Sequence, residues 1–239
     1  MTIGTWLSVG NPDVPDILET LPFDWFVLDT EHSPISMEVA SHMIQAIDDT
    51  KIAPLVRVGA NDQYLLKQAL DIGAHGAVVP LINSRSDAET AVRFSKYPPI
   101  GVRGVAPRKS SDYGSRMGEY IRRANADVVL VAQIETKEAL EKIDEIMGVE
   151  GLDVMFVGPS DLTMSLGLVD DRSNRRVKEA MKLVVRKCDE FGKIPGTMAL
   201  TTEEAKNALS MGFRFVSLAS DTRYLVEGAK LFLGSVKKG

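Results

Sequence analysis

Eight short apolar runs, each followed by an amphipathic segment, take up nearly all of the 239-residue chain. The runs read GTWLSV, DWFVLD, APLVRV, GAVVPL, DVVLVAQIE, DVMFVG, IPGTMAL and RFVSLAS. They are apolar at both parities of the alternation, as strands are when a parallel sheet is covered on both faces. Between them a helical period recurs in VPDILETL, MEVASHMIQAIDD, QYLLKQALDIG, DAETAVRFSK, KEALEKIDEIMG, VKEAMKLVVRKCDEFG, EEAKNALSMG and YLVEGAKLFLGSV. Gly73, Gly148, Gly192 and Gly212 stand where a helix end favours glycine. Eight β/α units in this length predict one α/β domain over residues 1–239, a (β/α)8 TIM barrel, with a doubly wound sheet as the competing arrangement. Residues 97–120, rich in Pro, Gly, Arg and Ser, break the rhythm. They are expected to form a surface connection, with a subunit contact as the alternative.

The charge balance narrows the partners. With 28 Lys and Arg against 33 Asp and Glu, the net charge is −5, which argues against a nucleic-acid binder. The single cysteine, Cys188, allows no internal disulfide and fits a reducing cytoplasm. No signal sequence is visible, and no apolar run approaches the ~20 residues of a membrane helix.

A barrel of this kind carries its active site at the C-terminal ends of its strands. Unusual polar residues fall there. The second run ends in Asp29-Thr30-Glu31-His32-Ser33-Pro34, and the third closes on Arg57. The fifth carries Gln133 and Glu135 on one face, because residues two apart on a strand point the same way. The sixth runs into Gly158-Pro159-Ser160-Asp161. Singly, several have ordinary readings: Asp29, Glu31 and His32 as turn or cap residues, Arg57 as an arginine satisfied by a neighbouring acid, Ser160 and Asp161 as a first helical turn. Glu135 does not, since a carboxylate ending an apolar strand needs a partner or a cation. Two carboxylates on neighbouring strands, without Cys or His at ligand spacing, describe a site for magnesium or manganese rather than zinc. His32 and Arg57 are then the general base and the cationic stabiliser of an oxyanion. His42, His75, Met198 and Cys188 are read as surface, wrong-end, packing and core residues. The loops MALTTEEA and LASDTRYL lack the glycines with which many barrels approach a phosphate, so a phosphorylated substrate held that way is not expected.

FDWFVLDTEHSP, PLVRV, LDIGAHGAVVPLI, YPPIGVRGV, VLVAQIET and GLDVMFVGPSDL resemble, in order, the motif series of metal-dependent class II pyruvate aldolases in the HpcH/HpaI aldolase/citrate lyase family. The resemblance covers residues 4–218. It implies a (β/α)8 barrel assembled as a homohexamer, a trimer of dimers with the last helix exchanged between subunits. It further implies that Glu135 and Asp161 hold a divalent cation (magnesium, manganese or cobalt) and that Arg57 holds the pyruvate keto oxygen. His32 matches the catalytic base with Asp29 beside it, and Asp71 matches an acid that supports the histidine of a neighbouring subunit. Gln133 matches a site glutamine, and the backbone of Ser160 and Asp161 a pocket for the substrate carboxylate. Serine stands in GPSDL where alanine is frequent, and the loop RKSSDYGSRMGEY departs from better-known members, so the aldehyde is not identified by it.

The implied reaction is reversible cleavage of a 4-hydroxy-2-oxo acid to pyruvate and an aldehyde. No lysine stands at a strand end for a Schiff base. A CoA-ester lyase of the citryl or malyl type, or an oxaloacetate decarboxylase, would share the enolate and the cation. A non-catalytic barrel oligomer is the alternative of another class; a decayed site should have lost one of His32, Arg57, Glu135 or Asp161, and all four are present.

Overall fold

Residues two apart on a strand share a face, so in a closed parallel sheet one parity of each strand fills the interior and the other meets the helices. The computed structural model, which describes residues 1–47, 51–169 and 171–237, follows this rule. Its strands are β1 (Thr2–Leu7), β2 (Trp25–Asp29), β3 (Ala53–Arg57), β4 (Gly76–Val79), β5 (Val129–Ile134), β6 (Val154–Val157), β7 (Ile194–Ala199) and β8 (Phe215–Ser220). All pair in parallel in chain order, and β8 returns to β1 to close the barrel. A doubly wound sheet is thereby excluded.

The interior parity holds Trp25 and Val27 of β2, Leu55 of β3, Val78 of β4, Val131 of β5, Val154 and Phe156 of β6, and Phe215 of β8. Trp25 stacks on Phe215 with ring centroids 3.9 Å apart, and Phe156 meets Trp6 edge-on at 5.8 Å. Four large rings fill the barrel only because β1 presents Gly4 beside Trp25. A Cβ at Gly4 would lie 2.1 Å from the Trp25 ring. The other parity, including Phe26, Leu28, Val56, Leu130 and Val157, builds the larger core between sheet and helices.

The helices are α1 (Asp13–Leu18), α2 (Met37–Ala46), α3 (Gln63–Asp71), α4 (Arg85–Ser95), α5 (Met117–Asp127), α6 (Lys137–Glu141), α7 (Ile143–Met147), α8 (Pro159–Ser165), α9 (Arg175–Phe191), α10 (Thr202–Met211) and α11 (Asp221–Lys237). Side chains that accept from backbone N–H groups start many of them: Ser36, Asp62, Ser84, Thr136, Asn174 and Thr201. Gly192 and Gly212 end α9 and α10 in the left-handed region that glycine favours, at φ 66° and 113°. Gly148 ends α7 at φ −70°, so its expected special role is absent. The last two residues expected in the second helix, 48 and 49, lie outside the described residues.

Two segments differ from expectation. The run KEALEKIDEIMG, expected as one helix, is broken at Lys142 into α6 and α7. Residues 97–120 are not wholly irregular: a 3-10 turn spans Lys109–Gly114 and α5 begins at Met117. Met117, Tyr120, Ile121 and Ala124 give α5 an apolar stripe at helical spacing, with Ala124 buried and Tyr120 and Ile121 half-buried, inside a stretch otherwise rich in Pro, Gly and Arg. No helix among the described residues is long and apolar enough to cross a membrane.

Gly4→Ala should force the β1 backbone away from Trp25 and lower unfolding stability by about 3 kcal/mol, the upper range for overpacking. Urea denaturation of both proteins measures it; equal midpoints would show that the ring stack can yield without cost.

Candidate active site

The interior parity that carries Trp25 and Val27 continues to Asp29, and the one that carries Leu55 continues to Arg57. In the β2–β3 ladder these two residues lie directly opposite each other. Both are buried, and they form a two-pronged ion pair: Arg57 Nε donates to Asp29 Oδ1 at 3.0 Å and Nη2 donates to Oδ2 at 2.7 Å. Asp29 also accepts from the N–H groups of Glu31 (3.1 Å) and His32 (3.2 Å), which shapes the turn after β2. Burial alone would push the Asp29 carboxyl up, but the Arg57 hydrogen bonds and charge, with the two N–H groups, hold it below the usual carboxylate range.

The third guanidinium nitrogen, Arg57 Nη1, lies 3.0 Å from Glu31 Oε2, and the guanidinium stacks on Trp6 at 4.4 Å from the ring centroid. Arg57 is therefore fixed by three residues, Asp29, Glu31 and Trp6. Burial pushes the Glu31 carboxyl up, while Arg57 and His32 oppose the shift. The His32 side chain is 67% exposed at the rim, with Nε2 3.9 Å from Glu31 Oε2.

Across the mouth, Gln133 of β5 and Glu135 just beyond it point inward in the same way. Glu135 Oε2 accepts from Gln133 Nε2 at 2.9 Å, and Oε1 accepts from the Leu81 N–H at 2.9 Å. Burial raises the Glu135 carboxyl above its usual range; the Leu81 N–H opposes this, and the negative charges of Asp161 and Glu31 reinforce it. Gln133 Oε1 is buried without a hydrogen-bond partner. Gly158, between β6 and α8, lacks the side chain that would fill the space beside these groups. A Cβ there would lie 3.0 Å from Glu135 Oε2 and 3.6 Å from Asp161 Oδ2.

These residues fit a hard divalent cation. Two carboxylate oxygens face one cleft, their mutual repulsion is relieved by positive charge, and the chemistry is all oxygen. No cluster of three or more His, Cys, Asp or Glu side chains suited to a metal occurs among the described residues, so further ligands would come from water or substrate.

The cavity over this floor measures about 160 Å³. Asp29, Arg57, Gln133, Ser160, Asp161 and Trp6 are among its walls. The first five are among the residues that the sequence places at the strand ends; the sequence assigns no role to Trp6, Leu81 or Gly158, and Glu31 reads there only as part of a turn. Strand parity from Gly4 would have found Trp6. Asp71 stands apart, at the end of α3. Within the chain it pairs with Arg103 Nη2 at 3.0 Å, and the Arg103 guanidinium lies over the rings of Tyr97 (4.7 Å) and Tyr120 (5.4 Å).

The sequence profile of the HpcH/HpaI aldolase/citrate lyase family matches residues 2–228, which include every residue of this mouth. The chain belongs to that family. It is accordingly an enzyme of carbon–carbon lyase type. It is 34% identical over 230 residues to a 4-hydroxy-2-oxo-heptane-1,7-dioate aldolase of Escherichia coli, covering 95% of this chain and 87% of that one. It is 33% identical over 219 residues to a 5-keto-4-deoxy-D-glucarate aldolase of Shigella boydii, covering 92% of this chain and 85% of that one. The crystal structure of an HpcH/HpaI aldolase/citrate lyase family protein from Burkholderia cenocepacia superposes with a TM-score of 0.95 at 32% identity, covering 99% of this chain and 94% of the other.

Because Asp29 has a lower carboxyl pKa folded than unfolded, its contribution to stability is present above the unfolded value and lost as pH falls through the folded one. Asp29→Asn should cost about 3 kcal/mol at neutral pH, the range for breaking a buried pair. It should also flatten the loss of stability as pH falls through and below the ordinary carboxylate range. Urea denaturation at several pH values reads both effects; an unchanged acid limb would remove Asp29 from the account.

Proposed function

We propose that the chain catalyses the reversible aldol cleavage of a 4-hydroxy-2-oxo acid to pyruvate and an aldehyde, with magnesium, manganese or cobalt held by Glu135 and Asp161. The observation that carries this reading is the pair of carboxylate oxygens facing Gly158, across the mouth from a guanidinium fixed by Asp29, Glu31 and Trp6. When bound, the cation would polarise the 2-oxo group and offset the negative charge that develops on its oxygen.

The chain's own residues account for the rest. Arg57 aims its charge at the keto oxygen, and its tight anchoring means little reorganisation as charge builds there. The N–H groups of Ser160 and Asp161, at the start of α8, receive the substrate carboxylate. Gln133 steadies Glu135 through its amide N–H and leaves its own buried acceptor, Oε1, open for a donor in the cavity. In the cleavage direction His32 removes the proton of the 4-hydroxyl, the C3–C4 bond breaks, and the aldehyde departs. The pyruvate enolate left behind is protonated at C3. In the synthetic direction the same steps reverse, with His32 assisting removal of a methyl proton. No lysine is among the described walls of the cavity, in keeping with chemistry without a Schiff base. The two aldolase names among the relatives favour aldol cleavage over a CoA-ester lyase or an oxaloacetate decarboxylase.

Assembly belongs to the same proposal. The start of α11 is tied to its own barrel by Asp221, which accepts from the N–H groups of Ser8 (2.9 Å) and Val9 (2.8 Å), and by Tyr224, whose hydroxyl bonds Thr5 Oγ1 at 3.0 Å and the Leu218 carbonyl. Further along, Leu231 (73%) and Phe232 (74%) are exposed, while an apolar groove lined by Leu18, Leu21, Phe23, Ala205 and Leu209 runs beside the barrel. Exchange of the last helix between subunits would bury both surfaces, as a homo-oligomer built as a trimer of dimers allows. Asp71 would then support His32 of a neighbouring subunit. The reducing cytoplasm suits such an assembly, with Cys188 buried and its thiol pushed up to about 12 by burial.

Proton NMR in deuterium oxide tests the chemistry without knowledge of the aldehyde. The pyruvate methyl signal should be lost with magnesium, manganese or cobalt present, and kept in Glu135→Ala and Asp161→Ala. Persistence of the signal in the unaltered protein with all three metals would end the aldolase reading.

Subunit mixing tests the shared site. His32→Ala and Asp71→Ala should each be nearly inactive, and activity should partly return when the two are dissociated and reassembled together. A folded mixture no better than the sum of its parts would confine Asp71 to its own chain, and a fully active Asp71→Ala would remove it from catalysis.

A further inference from the structure

Leu81 has a backbone that its side chain does not explain. It sits in the left-handed region at φ 54°, where residues other than glycine, asparagine and aspartate are uncommon, yet its side chain is 56% exposed. What the conformation accomplishes is on the backbone side: the Leu81 N–H points at Glu135 Oε1, 2.9 Å away.

The surrounding segment is pinned on both sides of this residue. The Ile82 N–H donates to the Gln133 carbonyl at 3.3 Å, and Ile82 is fully buried. Thr136 Oγ1 donates to Asn83 Oδ1 at 2.5 Å while also accepting from Ala139 N–H to start α6. The loop after β4 is thus fastened to the end of β5, and a strained residue persists because its neighbours over-determine it.

Each oxygen of Glu135 consequently has one donor: Leu81 N–H on Oε1 and the Gln133 amide on Oε2. Oε2 is the oxygen that faces Gly158, toward Asp161. We infer that Leu81 is a positioning residue, acting through its left-handed backbone N–H to hold the Glu135 carboxylate in the orientation that faces Asp161 across Gly158. The inference rests on the cation reading of Glu135 and Asp161 proposed above. Partners of this kind behind a metal ligand are worth about 10- to 100-fold in metal affinity.

The test separates backbone from side chain, using manganese binding to the full chain without substrate, by calorimetry and by the electron paramagnetic resonance of bound manganese. Leu81→Asn tolerates the left-handed region, and Leu81→Ala removes the side chain while keeping the N–H; both should bind manganese as the unaltered protein does. Leu81→Val, β-branched and strongly disfavoured at positive φ, should bind about tenfold more weakly and broaden the bound-manganese spectrum. An amide-to-ester replacement at residue 81, made with the α-hydroxy analogue of leucine, deletes the N–H while keeping the side chain and should match the valine variant; it decides the matter if Leu81→Val fails to fold. Equal affinity in the ester and the unaltered protein would overturn the inference, as would an alanine variant as weak as valine. Absence of manganese binding in the unaltered protein is a different result, which would overturn the cation reading itself and this inference with it.

Discussion

The pairing of β8 with β1 is the contact on which the remaining structure depends. Closing eight parallel strands obliges one parity of every strand to face a common interior, and that interior must be filled without voids. Trp25, Phe215, Phe156 and Trp6 do most of the filling, and Gly4 makes room for them. Gly76 serves a similar end between β4 and β5, where a Cβ would lie 2.2 Å from the Val129 carbonyl oxygen. Once closure is set, the last inward-facing positions of neighbouring strands necessarily meet at one mouth. Asp29, Arg57 and Gln133 are those positions.

Charge at the mouth is arranged in two unlike halves. On the β2–β3 side one guanidinium is shared by two acids, Asp29 and Glu31, so much of their negative charge is offset and the arginine is held rigidly. On the β5–β6 side Glu135 and Asp161 face the same cleft without a cationic side chain between them, and Glu135 is raised by burial and by its neighbours' charge. A low-dielectric setting makes such unpaired negative charge costly, and a bound cation offsets it. The physical asymmetry therefore divides labour: one half holds an arginine still, the other invites positive charge from outside the chain.

The lower face is organised by burying a different arginine. Arg103, with a fully buried side chain, ties Asp71 of α3 to the connection after α4 and lies against Tyr97 and Tyr120. The irregular, Pro- and Gly-rich stretch is thereby fixed by a charge pair and two rings where a regular element would use backbone ladders. Lys96 and Lys193 work in the same manner nearby, each donating to two backbone carbonyls at the end of a neighbouring helix or its following turn.

Strand and helix order, the closed barrel as the leading arrangement, and the convergence of Asp29, Arg57, Gln133, Glu135 and Asp161 were all legible in the chain, because period-two and period-3.6 patterns are local and motif spacing is read directly. Helix α5 was not, since its short apolar stripe of Met117, Tyr120, Ile121 and Ala124 directly follows the Pro-, Gly- and Ser-rich connection and no apolar residue but Ala124 is fully buried in it. Nor was the division of KEALEKIDEIMG at Lys142. The partners of each side chain were decided by tertiary structure alone. Nothing in DTEH tells that Glu31 shares Arg57 with Asp29, nothing in LDIGAHG that Asp71 meets Arg103, and nothing in VVPLIN that Leu81 turns its N–H toward Glu135, 54 residues away. Local sequence determines which face a residue occupies; which atoms then meet depends on sheet closure and register, and these are properties of the whole chain.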